Sequence, residues 1–248
     1  MKYASLESQL GDTTCLCEDT EEIFWLRESD DYESRVKLGN LLSGQYRFLE
    51  AVDAYHSAEI IRADDPMLYI RLGGAYLTLR HFDEAKQAYG KSYSLSGSEK
   101  SIAFPMGVWY YLQEDYQKAA DNFAKVLPCG DEMKIAIIYW NVLCCMRGNM
   151  LDKLTETYRD DMQVGHHTAY KSVVEVILGK TTVDEALTQV EQDKNDLNAV
   201  VAMYGIAVYL EYSGQAKEAR SLKESLLKRE SVWPCIPYLT ALNDMKNI

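Results

Sequence analysis

Between residues 69 and 92 the apolar and small positions fall into two helical stripes. Tyr69, Leu72, Gly73 and Tyr76 stand at i, i+3, i+4 and i+7, one face of a 3.6-residue period. After a break at "RHFDE", Ala85, Ala88, Tyr89 and Ser92 repeat that spacing. The pattern predicts two antiparallel helices joined by a short turn. A glycine inside the first of them costs about 1 kcal/mol relative to alanine, so its place in the stripe implies a packing reason. Gly73 and the small Ala85 are expected to face each other at the helix crossing, with the aromatics filling the volume around them.

The same pattern occurs on both sides. Gly39, Ala51 and Tyr55 stand 34 residues before Gly73, Ala85 and Tyr89, and Gly107, Ala119 and Phe123 stand 34 after them. Phe48, Phe82 and Tyr116 keep that register, as do Leu38, Leu72 and Met106. A fixed period of this size signals a stacked-repeat architecture, in which each unit packs on its neighbours along a quasi-linear array. No linker rich in Pro, Gly or Ser divides the chain.

On these residues the sequence resembles the tetratricopeptide repeat (TPR) family. "LGNLLSGQYRFLEAVDAYHSAEIIRADDP" (38–66) follows the family's 34-residue pattern of Leu-Gly, Ala, aromatic, Ala and Pro, and "MGVWYYLQEDYQKAADNFAKVL" (106–127) fits it again, with Met106 for the Leu and Val126 where a small residue is usual. The fold class this implies is all-α, an α-solenoid of antiparallel helix pairs wound as a TPR superhelix. About six units are expected over 32–233. Those at 32–65, 66–99 and 100–133 follow the pattern closely. At 134–166 it is degenerate, with Trp140-Asn141 in place of Leu-Gly and Lys153 in place of Ala, and at 167–199 it is carried by Ala186. At 200–233 it returns, although Lys223 replaces the aromatic. Residues 1–31 form an acidic segment, either a cap on the stack or a latch lying in the groove, and 234–248 form a turn and a C-terminal capping helix. Pro66 and Pro128 mark unit ends, Pro105 is expected in the first turn of a helix, where its missing N–H does no harm, and Pro234 and Pro237 break the chain near its end.

The resemblance also implies a site. In TPR arrays the first helix of each unit lines a concave face with residues one step round from the packing stripe. Carried onto this chain, those positions are Val36 and Asn40 (with Ser43), Ile70, Arg71 and Leu77 (with Gly74), Phe104, Val108 and Tyr111, Ile138 and Val142 (with Cys145), and Tyr204 and Val208. The strip is mostly apolar. The chaperone-binding members of the family clamp a C-terminal carboxylate with Lys, Asn and Arg. Val36, Asn40, Arg71, Ser101 and Pro105 occupy the corresponding places here, so only the first Asn survives and that clamp is rejected. An apolar groove suits an amphipathic helix or an extended segment with apolar anchors. The resulting expectation is a non-enzymatic scaffold or adaptor for a protein or peptide. Two alternatives stay open: a peptide- or ligand-sensing TPR regulator, with Asn40, Arg71 and Lys171 as its polar groups, and a self-associating structural protein, a homodimer that covers the strip itself.

Charge and chemistry narrow the partners. The net charge is −12, and no basic face or run exists to displace counterions from phosphates, which argues against nucleic acid and anionic membrane. Residues 18–33 hold eight acids against Arg27, around an apolar knot of Ile23, Phe24, Trp25 and Leu26. No nucleotide-binding or hydrolase motif occurs, so no catalytic residue and no cofactor is expected. Cys15 and Cys17 lack the two further ligands of a metal site. His166 and His167, as helix neighbours about 100° apart, are read as surface residues, so no metal is expected. His56 and His81 show no catalytic partner pattern. Neither an apolar leader after a basic start nor a run of about 18 apolar residues is present, which places the expected location in the cytoplasm.

Overall fold

The computed structural model describes residues 2–11 and 14–246. Among the described residues the chain is helical and contains no strand. It divides into two compact units, 1–109 and 110–248.

The first unit begins with two short helices, α1 (Leu6–Leu10) and α2 (Glu21–Arg27). It continues with the pairs α3 (Tyr32–Gly44) and α4 (Phe48–Ile61), then α5 (Pro66–Thr78) and α6 (Phe82–Ser96), and with most of α7 (Glu99–Leu112), inside which the division falls. The helix starts follow from local chemistry: Thr20, Asp31 and Asp65 accept from backbone N–H groups of the first turns of α2, α3 and α5, and Pro66 stands where no N–H is needed. α3 packs on α4 and α5 on α6, and α4 also packs on α5. The expected Gly–Ala contact is not what brings the helices together. A Cβ built on Gly39 would lie 2.3 Å from the Tyr55 ring, and one on Gly73 would lie 2.5 Å from the Tyr89 ring. Each glycine receives an aromatic ring of the second helix, whose register relative to the alanine was readable in the sequence but whose direction was not.

The described residues before Tyr32 pack onto the first helix pair of this unit, with Ala4 N–H bonded to the Gln45 carbonyl and Leu49 N–H to the Gln9 side chain. Ile23 is 1% exposed, whereas Phe24 and Trp25 are 55% and 63% exposed and meet edge to face at 5.6 Å. The expected apolar knot is therefore one core residue and an exposed aromatic pair. The buried Arg47 bonds Asp19 at 2.6 Å and Glu50 at 2.8 Å, and Arg27 bridges the same two carboxylates. Glu22 pairs with Lys37, Asp30 with Arg35 and Glu33 with Arg62, so with Asp19 half of the acidic run is matched by cations.

The second unit contains α8 (Tyr116–Lys125), α9 (Asp131–Arg147), α10 (Thr168–Ile177), α11 (Val183–Gln192), α12 (Asp196–Tyr212), α13 (Ala216–Leu226) and α14 (Ile236–Lys246). Two of these helices are apolar all the way round. "IAIIYWNVLCC" in α9 and "AVVAMYGIAV" in α12 are buried on every face, the one polar side chain among them, Asn141, donating to the Ala120 carbonyl at 3.4 Å. α12 packs against α9, α10, α11, α13 and α14. A Cβ on Gly205 would come within 2.6 Å of Tyr139 and 2.7 Å of Val173, so this glycine admits α9 and α10 to the centre of the unit.

Three sequence expectations change. The unit expected at 134–166 has one helix, α9; residues 148–167 are irregular apart from a single 3₁₀ turn at Thr155–Thr157, and Lys153 lies in no helix. Pro105 sits in the interior of α7, because that helix begins already at Glu99. Its missing N–H frees the carbonyl of Ser101, an exposed position where water can take it. Pro237 lies within the first turn of α14 rather than breaking the chain.

One backbone device recurs through both units. Tyr46, Arg80 and Glu114 adopt left-handed φ of 64°, 64° and 60°, and Asn149, Gly179 and Gly214 follow with 50°, 70° and 81°. In each case the next residue donates its N–H five positions back: Arg47 to Leu42, His81 to Tyr76, Asp115 to Tyr110, Met150 to Cys145, Lys180 to Glu175 and Gln215 to Leu210. These are Schellman turns, ending α3, α5, α7, α9, α10 and α12.

Candidate peptide-binding site

The packing of α3 and α5 on their second helices fixes what they expose. With Gly39 and Gly73 turned inward, the residues one step round point away: Asn40 is exposed, and Val36, Ile70, Arg71 and Gly74 are half-buried. The Tyr55 hydroxyl, which is buried with the ring that fills the Gly39 notch, donates to Asn40 Oδ1 at 2.9 Å. That bond holds the amide with its N–H₂ turned outward as a donor. Burial pushes the Tyr55 phenol up, opposed by its hydrogen bond with Ser43 and by the charge of Arg71. Arg71 makes no ion pair among the described residues.

Two glycines on the open side have no packing role. A Cβ on Gly74 or Gly44 would meet nothing within 4 Å, so each accepts the helix penalty of about 1 kcal/mol without filling a notch. Glycine at such a place lets another chain approach the helix backbone closely. Beside Gly44 and Asn40 a cavity of about 760 Å³ opens between α2 and α3, walled by Ile23, Trp25, Tyr3 and Lys2. Trp25 was legible in the sequence only as part of an apolar cluster; its exposure at this rim depends on how α2 rotates on α3.

The remaining expected groove residues fall elsewhere. Phe104 is half-buried, but Leu77 and Val108 are 4% and 2% exposed. In the second unit Tyr111, Ile138, Val142, Tyr204 and Val208 are all buried. Tyr111 and Tyr204 share a hydroxyl–hydroxyl hydrogen bond of 2.9 Å, and their rings pack with Trp140. These residues are core, because α9 and α12 have neighbours on the faces that would line a groove. Lys171 is also engaged, donating to the Asp160 carbonyl at 2.9 Å. His56, without an expected partner, lies between Glu59 (3.0 Å) and the Tyr76 hydroxyl (2.6 Å) and ties α4 to α5.

Sequence reasoning also missed a charged core in the second unit. Lys223, at the position where the repeat pattern has an aromatic, is 2% exposed and bonds Glu211 at 2.6 Å and Asp244 at 2.7 Å. Arg147 forks onto the Asp244 carboxylate, with one contact at 2.9 Å and a second shorter one, reaches Glu211 at 3.4 Å, and lies 5.8 Å from the centroids of both the Tyr111 and the Tyr204 rings. Two cations and two anions thereby join α9, α12, α13 and α14.

No family model matches the chain, and no curated protein matches it. Two solved structures are similar at low identity. One is the crystal structure of YrrB, a TPR protein with an unusual peptide-binding site: 16% identity, 92% of this chain and 98% of that chain covered, TM-score 0.44. The other is Naa15/Naa10 bound to HypK-THB: 19% identity, 92% of this chain and 36% of that chain covered, TM-score 0.38. This chain thus spans about a third of the second protein's matched chain. At such scores neither carries an argument, and what the chain's own geometry shows, with glycine notches filled by tyrosine rings 34 residues apart and Schellman turns between paired helices, is an all-α helical-repeat fold.

Proposed function

We propose that the protein is a non-enzymatic interaction scaffold that takes an extended peptide segment on the α3–α5 face of its first unit. The observation that supports this most is the exposed Asn40 amide, whose Oδ1 is held by the Tyr55 hydroxyl, in a unit that also carries Arg71, a half-buried cation within the field of Asp65 and without an ion pair of hydrogen-bond length among the described residues. The amide can hold a peptide carbonyl, the guanidinium can pair an acidic side chain or terminus, and Val36 and Ile70 offer apolar contact. Gly74 lets the peptide backbone approach the helix. Trp25 at the rim of the adjacent cavity supplies an aromatic anchor of the kind that dominates interface energetics. Residues 1–31 act as a cap, a reading supported by buried Ile23 and the Arg27–Arg47 ion network.

A peptide library displayed on phage and selected on the full chain tests this reading. Asn40→Ala and Arg71→Ala are each expected to weaken a selected peptide by about 1 to 3 kcal/mol, with thermal stability unchanged. Unchanged affinity in both variants removes this face as the site. The second reading, a ligand-sensing regulator, is favoured by the same two polar groups; it takes precedence if no peptide is selected and a small anionic molecule binds in an Arg71-dependent manner.

A further inference from the structure

We propose that Glu132, His166 and His167 in the second unit form a binding site for one divalent transition-metal ion of the zinc class. The three side chains offer ligand atoms that all lie within 4.8 Å of one another. Glu132 Oε1 is 2.8 Å from His166 Nδ1 and 3.9 Å from His167 Nδ1. Around a tetrahedral ion with bonds near 2.1 Å, neighbouring ligand atoms stand about 3.4 Å apart, so the two observed separations bracket what is needed.

The two histidines meet because they are not on a helix. Gly165, with φ of 53°, turns the chain just ahead of them, and His167 stands at the cap position of α10. Their rings are 4.4 Å apart, centroid to centroid, rather than pointing away from each other. A Cβ on Gly165 would lie 2.5 Å from Glu132 Oε1, so the turn closes directly on the carboxylate. His167 Nδ1 is buried and has no hydrogen-bond partner, an acceptor or donor left over by the fold. The scaffold around the trio is fixed from both sides: Asp131, the neighbour of Glu132, accepts from Arg159 and from the Gln163 backbone N–H, and Met162 and Val164 are buried.

The donor set selects the ion. Two imidazoles and one carboxylate suit zinc, cobalt, nickel or copper, whereas calcium and magnesium take oxygen ligands. With three protein ligands and a His166 side chain that is 81% exposed, a fourth position is open to water or to a partner's side chain.

The test uses the full chain freed of metal with a chelator, titrated with zinc chloride in a calorimeter and with cobalt(II) in a spectrophotometer. One equivalent should bind; the cobalt form should show visible d–d bands without a thiolate charge-transfer band, and zinc should raise the melting midpoint. His166→Ala and Glu132→Gln, both at exposed side chains, should each weaken zinc about tenfold or more and abolish the midpoint shift, while Cys15→Ser/Cys17→Ser leaves binding intact. Three outcomes overturn the proposal: no binding at one equivalent, equal affinity in His166→Ala and Glu132→Gln, or a thiolate band that disappears with Cys15 and Cys17.

Discussion

At the scale of single residues, adjacent glycines have opposite roles. Gly73 faces the Tyr89 ring at a distance no methyl group can share, whereas Gly74 faces open space. Gly73→Ala gains about 1 kcal/mol of helix propensity but forces the ring out of a packed interface, a cost of about 1 to 3 kcal/mol, so the net change is expected to be destabilising. Gly74→Ala adds the same methyl where nothing opposes it and is expected to stabilise by about 0.5 to 1 kcal/mol. Denaturant unfolding of the two variants checks the sign, and a weaker affinity of Gly74→Ala for a selected peptide would tie the open glycine to binding. The inward glycine was legible from its 34-residue recurrence. The outward one was expected from the resemblance, which puts Gly74 one step round from the packing stripe, but the open space beside it is visible only once the second helix is in place.

At the scale of elements, the same Schellman turn closes helices in both units, including α9, after which the expected second helix is missing. Tyr46, Arg80 and Glu114 hold a left-handed backbone without being glycine, so composition gives no sign of them. Asn149 ends α9 in the same way although no second helix follows it. The last elements are joined by charge instead of an aromatic. Asp244 of α14 is bonded by both Arg147 and Lys223, and its loss leaves two buried cations facing the single carboxylate of Glu211. Asp244→Ala is expected to destabilise by about 3 to 5 kcal/mol, measured by denaturant unfolding, because removing one partner of a buried ion network leaves uncompensated charge. Lys223 could be read in advance as a break in the repeat, but its counter-ions come from α12 and α14, and no local pattern links those positions.

At the scale of the whole molecule, the apolar strip that gave the sequence a reason to self-associate is largely internal. Tyr111, Ile138, Val142, Tyr204 and Val208 are covered within the second unit by the chain itself. Light scattering across a concentration series is therefore expected to give the mass of one chain, 28.3 kDa, throughout. A stable dimer would show that another surface, with exposed Phe24 and Trp25 as the first place to look, carries an interface.

The sequence by itself determined the helix pairs of the first unit, their period and the inward register of Gly39 and Gly73, because these depend on contacts between residues close in the chain and repeated at fixed spacing. Only the tertiary structure decided which face of α9 and α12 meets solvent, since an apolar helix has no preferred side until its neighbours are known. The same holds for His166 and His167: their separation depends on a turn at Gly165 and on the distant Glu132, and a reading based on helical periodicity sends the two rings apart.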